Sequence, residues 1–371
     1  MRVLVTGGAG FIGAHLVDRF LQEGFHVRVL DSLDPKVHPG GRINGLPARV
    51  EFIRGDVTDR DVLLAALQEV DVVSHQAAYQ DYMPDFSRFM LVNAVGTSLL
   101  YELIVQEKLQ IKKVIVASSQ SVYGEGQYAC SDHGFFLPVP RSRKQLALGQ
   151  WEVKCPQCGK QAEPSLLKEA RTNPYNQYAV SKLAQEKIAL GMGWLHGIPT
   201  VALRYSITQG PRQSLFNQYS GVCRIFVGRA LKKEPLIVYE DGRQTRDFVH
   251  IADVVDANMH VLEQDDANFQ AFNVGSGKPT TVLEYANLVL AKLPSNVGID
   301  VSQEYRRGDN RHSVSNIDKL KHLGWKPQRG LSQILDDFLA WVESIGGIPE
   351  HIHDAYGDMR TAGVILRATA G

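Results

Sequence analysis

Val3-Leu4-Val5-Thr6-Gly7-Gly8-Ala9-Gly10-Phe11-Ile12-Gly13 is the stretch that decides how this chain folds. A short β-branched run enters a glycine-rich turn and leaves as an apolar-periodic pattern over residues 11–21. A phosphate-binding turn needs glycine in three places: where the backbone reverses, where it nears a pyrophosphate, and where helix packs on strand. Gly7, Gly10 and Gly13 have that spacing, and the helix start that follows offers unpaired N–H groups to an anion. A glycine triplet alone is weak evidence, but a strand before it and a helix after it are the confirming context. The competing view is a tight structural turn with no ligand.

The same texture continues outward. Val27-Arg28-Val29-Leu30, Val50-Glu51-Phe52-Ile53, Asp71-Val72-Val73-Ser74-His75 and Lys113-Val114-Ile115-Val116-Ala117 are short apolar runs, and a long helical pattern covers residues 86–108. A helical pattern over 175–196 then leads to Thr200-Val201-Ala202-Leu203. Strands alternating with helices predict an α/β fold, a Rossmann-type doubly wound parallel sheet covered on both faces. Residues 1–124 and 174–210, with an interleaved helix at 251–265, are expected to form this NAD-binding domain. Residues 211–345 predict a smaller mixed α/β substrate-binding domain, and 346–371 a loose tail. Residues 125–173 break the rhythm, carry three of the four cysteines, and read as an insertion.

Composition narrows the partners. The chain has 371 residues, 44% hydrophobic and 22% charged, which is ordinary for a globular protein. Forty Lys and Arg balance forty Asp and Glu, which weighs against nucleic acid or an anionic membrane surface as partner. No run of 18 apolar residues occurs, so no membrane span is expected. Four cysteines are too few for a disulfide framework, and a reducing cytoplasm is the expected compartment.

Candidate chemistry gathers at the ends of the predicted strands. Asp31 can accept hydrogen bonds from ribose hydroxyls and would repel a 2′-phosphate, which favours NAD over NADP. Asp56-Val57 is expected at the adenine edge. Tyr178-Ala179-Val180-Ser181-Lys182 puts Tyr and Lys one helical turn apart. A phenol titrates at about 10, so it needs a neighbouring ammonium and the nicotinamide charge to lower its pKa before it can act as a base. Ser118-Ser119-Gln120-Ser121 follows the fifth strand, where a hydroxyl can position a substrate oxygen. Taken alone, Tyr-x-x-x-Lys is also an ordinary helix with a solvated lysine.

With Gln76-Ala77-Ala78, Asn93, Arg246-Asp247-Phe248-Val249-His250 and Arg306-Arg307-Gly308-Asp309, these motifs resemble the extended short-chain dehydrogenase/reductase family from residue 1 to about 345. The resemblance implies a nucleotide-diphosphate-sugar substrate and Ser119, Tyr178 and Lys182 as the catalytic set. It places Gly7, Gly10, Phe11, Ile12, Gly13, Gln76, Ala77 and Ala78 on the cofactor, with Asn93 near the nicotinamide ribose. It places Arg246 and Arg306 on the diphosphate or nucleoside, with Gln120, Ser121, Gln209 and Arg212 as further substrate contacts. Dehydratases of the family carry an Asp-Glu pair after the serine, and decarboxylases typically a Glu. Gln120 and Ser121 fit neither, which leaves 4-epimerases and keto-sugar reductases.

The family's Arg-Tyr-Phe-Asn-x-x-Gly-Pro run here reads Arg204-Tyr205-Ser206-Ile207-Thr208-Gln209-Gly210-Pro211. Ile207 replaces an amide and points to a more apolar sugar such as a 6-deoxyhexose. Ser206-Ile207 with the cysteine-bearing insertion resembles the dTDP-L-rhamnose 4-epimerase group of the family. A UDP-glucose/galactose 4-epimerase, an NAD(P)H-dependent 4-keto-sugar reductase and a non-enzymatic dinucleotide sensor are the alternatives. The family also implies a homodimer through helices 86–108 and 175–196, where Phe89, Leu99, Leu100, Ile104, Leu190 and Trp194 exceed what one core face uses.

One motif stands outside this chemistry. Cys130-Ser131-Asp132-His133 and Cys155-Pro156-Gln157-Cys158 read C-x2-H and C-x2-C with 21 residues between them. That set suits a structural Cys3His zinc site, against a redox pair or chance.

Overall fold

The computed structural model describes residues 1–41, 45–215, 221–293, 296–348 and 355–369. Seven parallel strands form the central sheet: β1 (Arg2–Thr6), β2 (His26–Asp31), β3 (Glu51–Arg54), β4 (Val72–His75), β5 (Lys113–Ser119), β6 (Thr200–Tyr205) and β7 (Gln270–Val274). Their order is β7-β6-β5-β4-β1-β2-β3. The doubly wound Rossmann sheet is therefore the architecture.

Alternate residues of β1 explain why its whole run is apolar. Leu4 packs on one face with Leu63, Leu67, Leu100 and Ile104. Val3 and Val5 pack on the other with Leu16, Val17, Phe20, Ile251 and Val255. Both faces are covered by helices, so Val3, Leu4 and Val5 are all apolar, and the buried Thr6 at the strand's end hydrogen-bonds His75 at 2.8 Å. The covering helices include α1 (Phe11–Gln22), α2 (Arg60–Leu67), α3 (Phe86–Gln106), α4 (Gln177–His196) and α5 (Ile251–Glu263). Asn176 caps α4 by accepting from the Ala179 N–H at 2.8 Å, and Gly197 ends it in the left-handed region.

One helix bears on the membrane expectation, and two other expectations need correction. By length and composition α3 is long and apolar enough to cross a membrane, with mean hydropathy 1.4, although half of that stretch is buried inside the fold. Phe89, Leu100 and Ile104 of α3 belong to the core, and the apolar side chains exposed on α3 and α4 include Met90, Leu91, Val95, Val180, Trp194 and Leu195. The stretch from residue 346 is not loose throughout. It forms a helix, Ala355–Thr361, and a strand, Ile365–Arg367, antiparallel to Glu304–Arg306. Met359 and Ile365 bury against Tyr82 and Tyr239, long-range contacts that a seven-residue pattern does not announce.

Asp247 ties the outer part of the fold to the sheet. Buried, it accepts from the Ser206 hydroxyl at 3.1 Å, the Ser276 N–H at 2.7 Å and the Ser315 N–H at 3.1 Å. A Cβ on Gly275 would stand 2.3 Å from its Oδ2, so glycine is required there. Residues 125–173 carry a three-stranded antiparallel sheet of Tyr128–Cys130, Gly134–Phe136 and Glu163–Pro164.

Candidate active site

A cavity of ≈ 880 Å³ lies at the carboxyl ends of the strands, where the winding reverses between β1 and β4. Open α/β sheets place ligands at this crevice. One end is the glycine loop. Gly7 has φ +67, a Cβ on it would meet Ala77 at 2.8 Å, and a Cβ on Gly13 would lie 2.1 Å from the Gly7 carbonyl oxygen. Gly10 stands at the N-cap of α1 with no side-chain cap and no acid in the first turn. The first-turn N–H groups and the positive end of the helix dipole are thus left to an anion.

Phe11, Ile12, Asp31, Asp56, Val57, Gln76, Ala77 and Ala78 also line this end. Asp31 ends β2 and is fixed by the N–H groups of Ala9 and Leu33, both at 2.9 Å. The donor set and the glycine cradle fit a dinucleotide.

Ser119 at the end of β5 and Tyr178 in the first turn of α4 meet in the cavity wall. The Gln80 amide donates to the Tyr178 oxygen at 2.8 Å, and Ser119 hydrogen-bonds the same phenol. Burial pushes the Tyr178 pKa up, and the bonds from Gln80 and Ser119 act against that. Lys182 also lines the cavity, but its ammonium donates to Gln185 Oε1, three residues along the helix. Burial lowers it to about 7. The expected lowering of the phenol by Lys182 is therefore not what this geometry gives. Behind the lysine runs a buried chain: Gln185 to Thr97 at 3.1 Å, Thr97 to His75 at 2.9 Å, and His75 to Thr6 at 2.8 Å.

At the far end, Gln120 Oε1 and Ser121 Oγ are buried with no partner among the described residues, and both side chains line the cavity. Arg246 and Arg306 line it too, held by the two oxygens of Asp309 at 3.2 and 3.3 Å. Three expected residues lie off the cavity. Asn93 is fully buried and bonds the Tyr79 backbone and Ser181 at 2.7–3.1 Å, bracing α3 against α4. Gln209 accepts from the Tyr285 hydroxyl at 2.7 Å, and Arg212 turns to an ion pair with Asp18.

Two cavity residues escaped the sequence. Gln80 gave no signal beyond following Gln76-Ala77-Ala78. Arg224 is buried in the cavity wall, and its Nε and Nη2 have no partner among the described residues. Its one hint is a guanidinium among Cys223, Phe226 and Val227, on the apolar side of its helix.

Away from the cavity, Cys130, His133, Cys155 and Cys158 come together. Their ligand atoms all lie within 4.8 Å of one another. The N–H of Asp132, then the His133 ring and N–H, hold the Cys130 thiol down to about 6.

A family model described as "NAD dependent epimerase/dehydratase family" matches residues 3–142 and 155–275. The dTDP-L-rhamnose 4-epimerase of Burkholderia thailandensis is 34% identical over 349 residues, 92% of this chain and 94% of that protein. The Thermus thermophilus UDP-glucose 4-epimerase, solved with NAD, superposes with a TM-score of 0.74 at 29% identity over 92% of this chain and 99% of that one. The Thermotoga maritima UDP-glucose 4-epimerase, solved with UDP-glucose, gives 0.73 at 26% identity over 93% and 99%. On the match of more than half its length, and on the glycine cradle and Ser–Tyr–Lys grouping that the match contains, this chain belongs to the NAD dependent epimerase/dehydratase family.

Proposed function

We propose that this protein is a nucleotide-diphosphate-sugar 4-epimerase acting by transient NAD-mediated oxidation at C4, with a dTDP-6-deoxyhexose such as dTDP-L-rhamnose as substrate. Ser119 and Tyr178, meeting in one cavity between the glycine cradle and the Arg246–Arg306 pair, are the observation that carries it. NAD held at Gly7–Gly13 and Asp31 supplies the hydride acceptor and donor for C4. Tyr178, as a phenolate favoured by the nicotinamide charge of bound NAD and by its bonds from Gln80 and Ser119, would take the proton from the C4 hydroxyl as the ketone forms and return it to the same oxygen. Ser119 donates to that oxygen and fixes its place, while Gln120 and Ser121 offer unpartnered oxygens to the other sugar hydroxyls. Neither carries a carboxylate, so the pocket lacks the acid and base that elimination would need there. Lys182 orders the polar chain beneath Tyr178.

Residues 1–124 and 174–210 with 251–265 hold the cofactor in this proposal, and 211–345 hold most of the substrate. The Burkholderia relative's name and Ile207, which lines the cavity where an amide would otherwise reach the sugar, support the deoxysugar. The solved UDP-glucose enzymes support a UDP-hexose 4-epimerase as the second reading. Working in the cytoplasm as a homodimer through the exposed faces of α3 and α4, with no nucleic-acid or membrane partner, belongs to the same proposal. So does structural zinc at the Cys3His cluster, which four protein ligands would exclude from the chemistry. Purified protein incubated with dTDP-L-rhamnose and with UDP-galactose tests the substrate. Turnover of the dTDP sugar without added cofactor is expected; turnover of the UDP sugar alone refutes the deoxysugar, and demand for stoichiometric NADH refutes epimerisation.

A further inference from the structure

We infer that Cys130, His133, Cys155 and Cys158 bind one Zn²⁺, and that this ion, by fastening the 125–173 lobe, holds Asp309 and with it the arginine pair that meets the substrate diphosphate. The first half rests on the cluster alone, and the second rests also on the epimerase proposal.

Three of the six distances among the four atoms match the edges of a coordination tetrahedron, and all six are within 4.8 Å. His133 Nδ1 stands 3.7 Å from Cys130 Sγ and 3.6 Å from Cys155 Sγ, and Cys130 Sγ stands 3.6 Å from Cys158 Sγ. With Zn–S about 2.3 Å and Zn–N about 2.05 Å, tetrahedral edges come to roughly 3.8 Å for two sulfurs and roughly 3.5 Å for sulfur and nitrogen. A disulfide would bring two sulfurs to about 2.05 Å. The two halves of the cluster are built alike. Each pair is followed by a glycine, Gly134 at φ +72 and Gly159 at φ +73, with open space where a Cβ would sit. The backbone turn, not crowding, requires these glycines. Gly159 N–H returns to the Cys155 carbonyl at 2.9 Å, and Cys130 pairs across its hairpin with Gly134. Three thiolates and one imidazole in tetrahedral array select zinc among the abundant divalent ions.

The segment between the two halves reaches the substrate end of the cavity. Arg141 donates to the Asp309 carbonyl at 2.9 Å, to the Trp151 carbonyl at 3.0 Å and to Glu240 at 2.9 Å. Glu152 binds the fully buried Arg311 at 3.0 Å, and the Arg311 N–H donates to Glu125 at 2.7 Å. Asp309 in turn sits between Arg246 and Arg306. Leu146, Trp151 and Leu167 pack the rest of the lobe on the body of the protein, but the part that carries the four ligands has only ladders of two or three residues and a small cluster of Tyr128, Val153 and Ala162. So small an assembly needs a staple to hold its shape.

The test uses the full chain, prepared without chelator. Elemental analysis should find one zinc per chain, and exchange to Co²⁺ should give thiolate charge-transfer and tetrahedral d–d bands. Cys158→Ser should lower zinc content and weaken dTDP binding by roughly tenfold or more, the range for one charged contact, with bound NAD unchanged. Glu152→Gln leaves every ligand in place and should keep the zinc while raising KM with little change in kcat. Less than half a zinc per chain, or a Cys130–Cys158 disulfide by mass spectrometry, overturns the metal site. Zinc lost from Cys158→Ser with dTDP affinity unchanged, together with an unchanged KM in Glu152→Gln, overturns the coupling. Zinc and dTDP coupling present with no sugar turned over supports this inference and counts against the epimerase proposal alone.

Discussion

Replacing Arg224 with methionine is expected to raise the stability of the folded protein and to weaken its nucleotide-sugar complex. Arg224 is 4% exposed, and its Nη1 donates to the Leu215 carbonyl at 3.1 Å. Nε and Nη2 have no partner among the described residues, and burial, the leading influence, lowers the group's pKa. That is the behaviour of a cation held in a wall with no counter-ion among the described residues. Each unpaired buried donor costs about 1–3 kcal/mol. Two such donors make about 2–6 kcal/mol that an apolar side chain of similar length does not carry. The replacement also gives up the bond to the Leu215 carbonyl, so the low end, about 2 kcal/mol, is the expected gain.

The effect on binding has the opposite sign. Diphosphate oxygens in the cavity would take both free N–H groups, and a charge-assisted bond contributes about 1.5–3 kcal/mol, or roughly 10- to 150-fold in Kd. Thermal unfolding with and without dTDP, together with titration calorimetry, measures both quantities on one sample. The parent should gain more from dTDP than Arg224→Met, while the variant should melt higher without ligand. A variant that melts lower and binds dTDP as the parent does would show that the guanidinium is a structural group, and would refute the reasoning.

Tyr178→Phe should lower kcat by about 10²- to 10⁴-fold, the range for a positioned acid–base group, with bound NAD and melting temperature near the parent's; a loss below tenfold in an epimerisation assay excludes Tyr178 as the proton carrier. Gly13→Ala would place a Cβ 2.1 Å from the Gly7 carbonyl oxygen, so the folded variant should purify without NAD, as chromatography of the heat-released cofactor will show. His75 is held down to about 3 by burial, with Lys182 adding to the effect. Between that value and its ordinary 6.5 the unfolded chain binds a proton that the native state refuses, so stability rises with pH across this window and is lost on acidification. The loss should be on the order of a few kcal/mol, and His75→Asn should flatten it; equal urea midpoints for parent and variant at both pH 4.5 and pH 7.5 contradict this.

What the sequence made legible was local. Gly7, Gly10 and Gly13 act within one turn, and the alternation of Val3, Leu4 and Val5 reports burial on both faces of a single strand. Tyr178 and Lys182 are neighbours on one helix, and each half of the Cys3His cluster is a four-residue motif. Tertiary choices were not legible. The direction of the Lys182 ammonium depends on Gln185 offering a closer acceptor than Tyr178 does. Asn93, Gln209 and Arg212 were assigned by resemblance, and here each is taken by a partner from a distant part of the chain: Ser181, Tyr285 and Asp18.

Arg224 and Asp309 show why such residues stay hidden. A guanidinium in an apolar helix face has no distinguishing spacing, and its meaning comes from the cavity that the rest of the fold builds around it. Asp309 was visible as part of Arg306-Arg307-Gly308-Asp309, yet its job is set by Arg246, 63 residues earlier, and by Arg141, 168 residues earlier. The diphosphate end of the cavity is thus assembled from parts that each look ordinary. Arg246 and Arg306 are kept from ion-pairing elsewhere because one carboxylate, on a residue whose main-chain carbonyl the lobe's Arg141 holds, divides its two oxygens between them. A substitution at Asp309 should therefore disturb both arginines together, whereas a change at either arginine leaves the other still anchored.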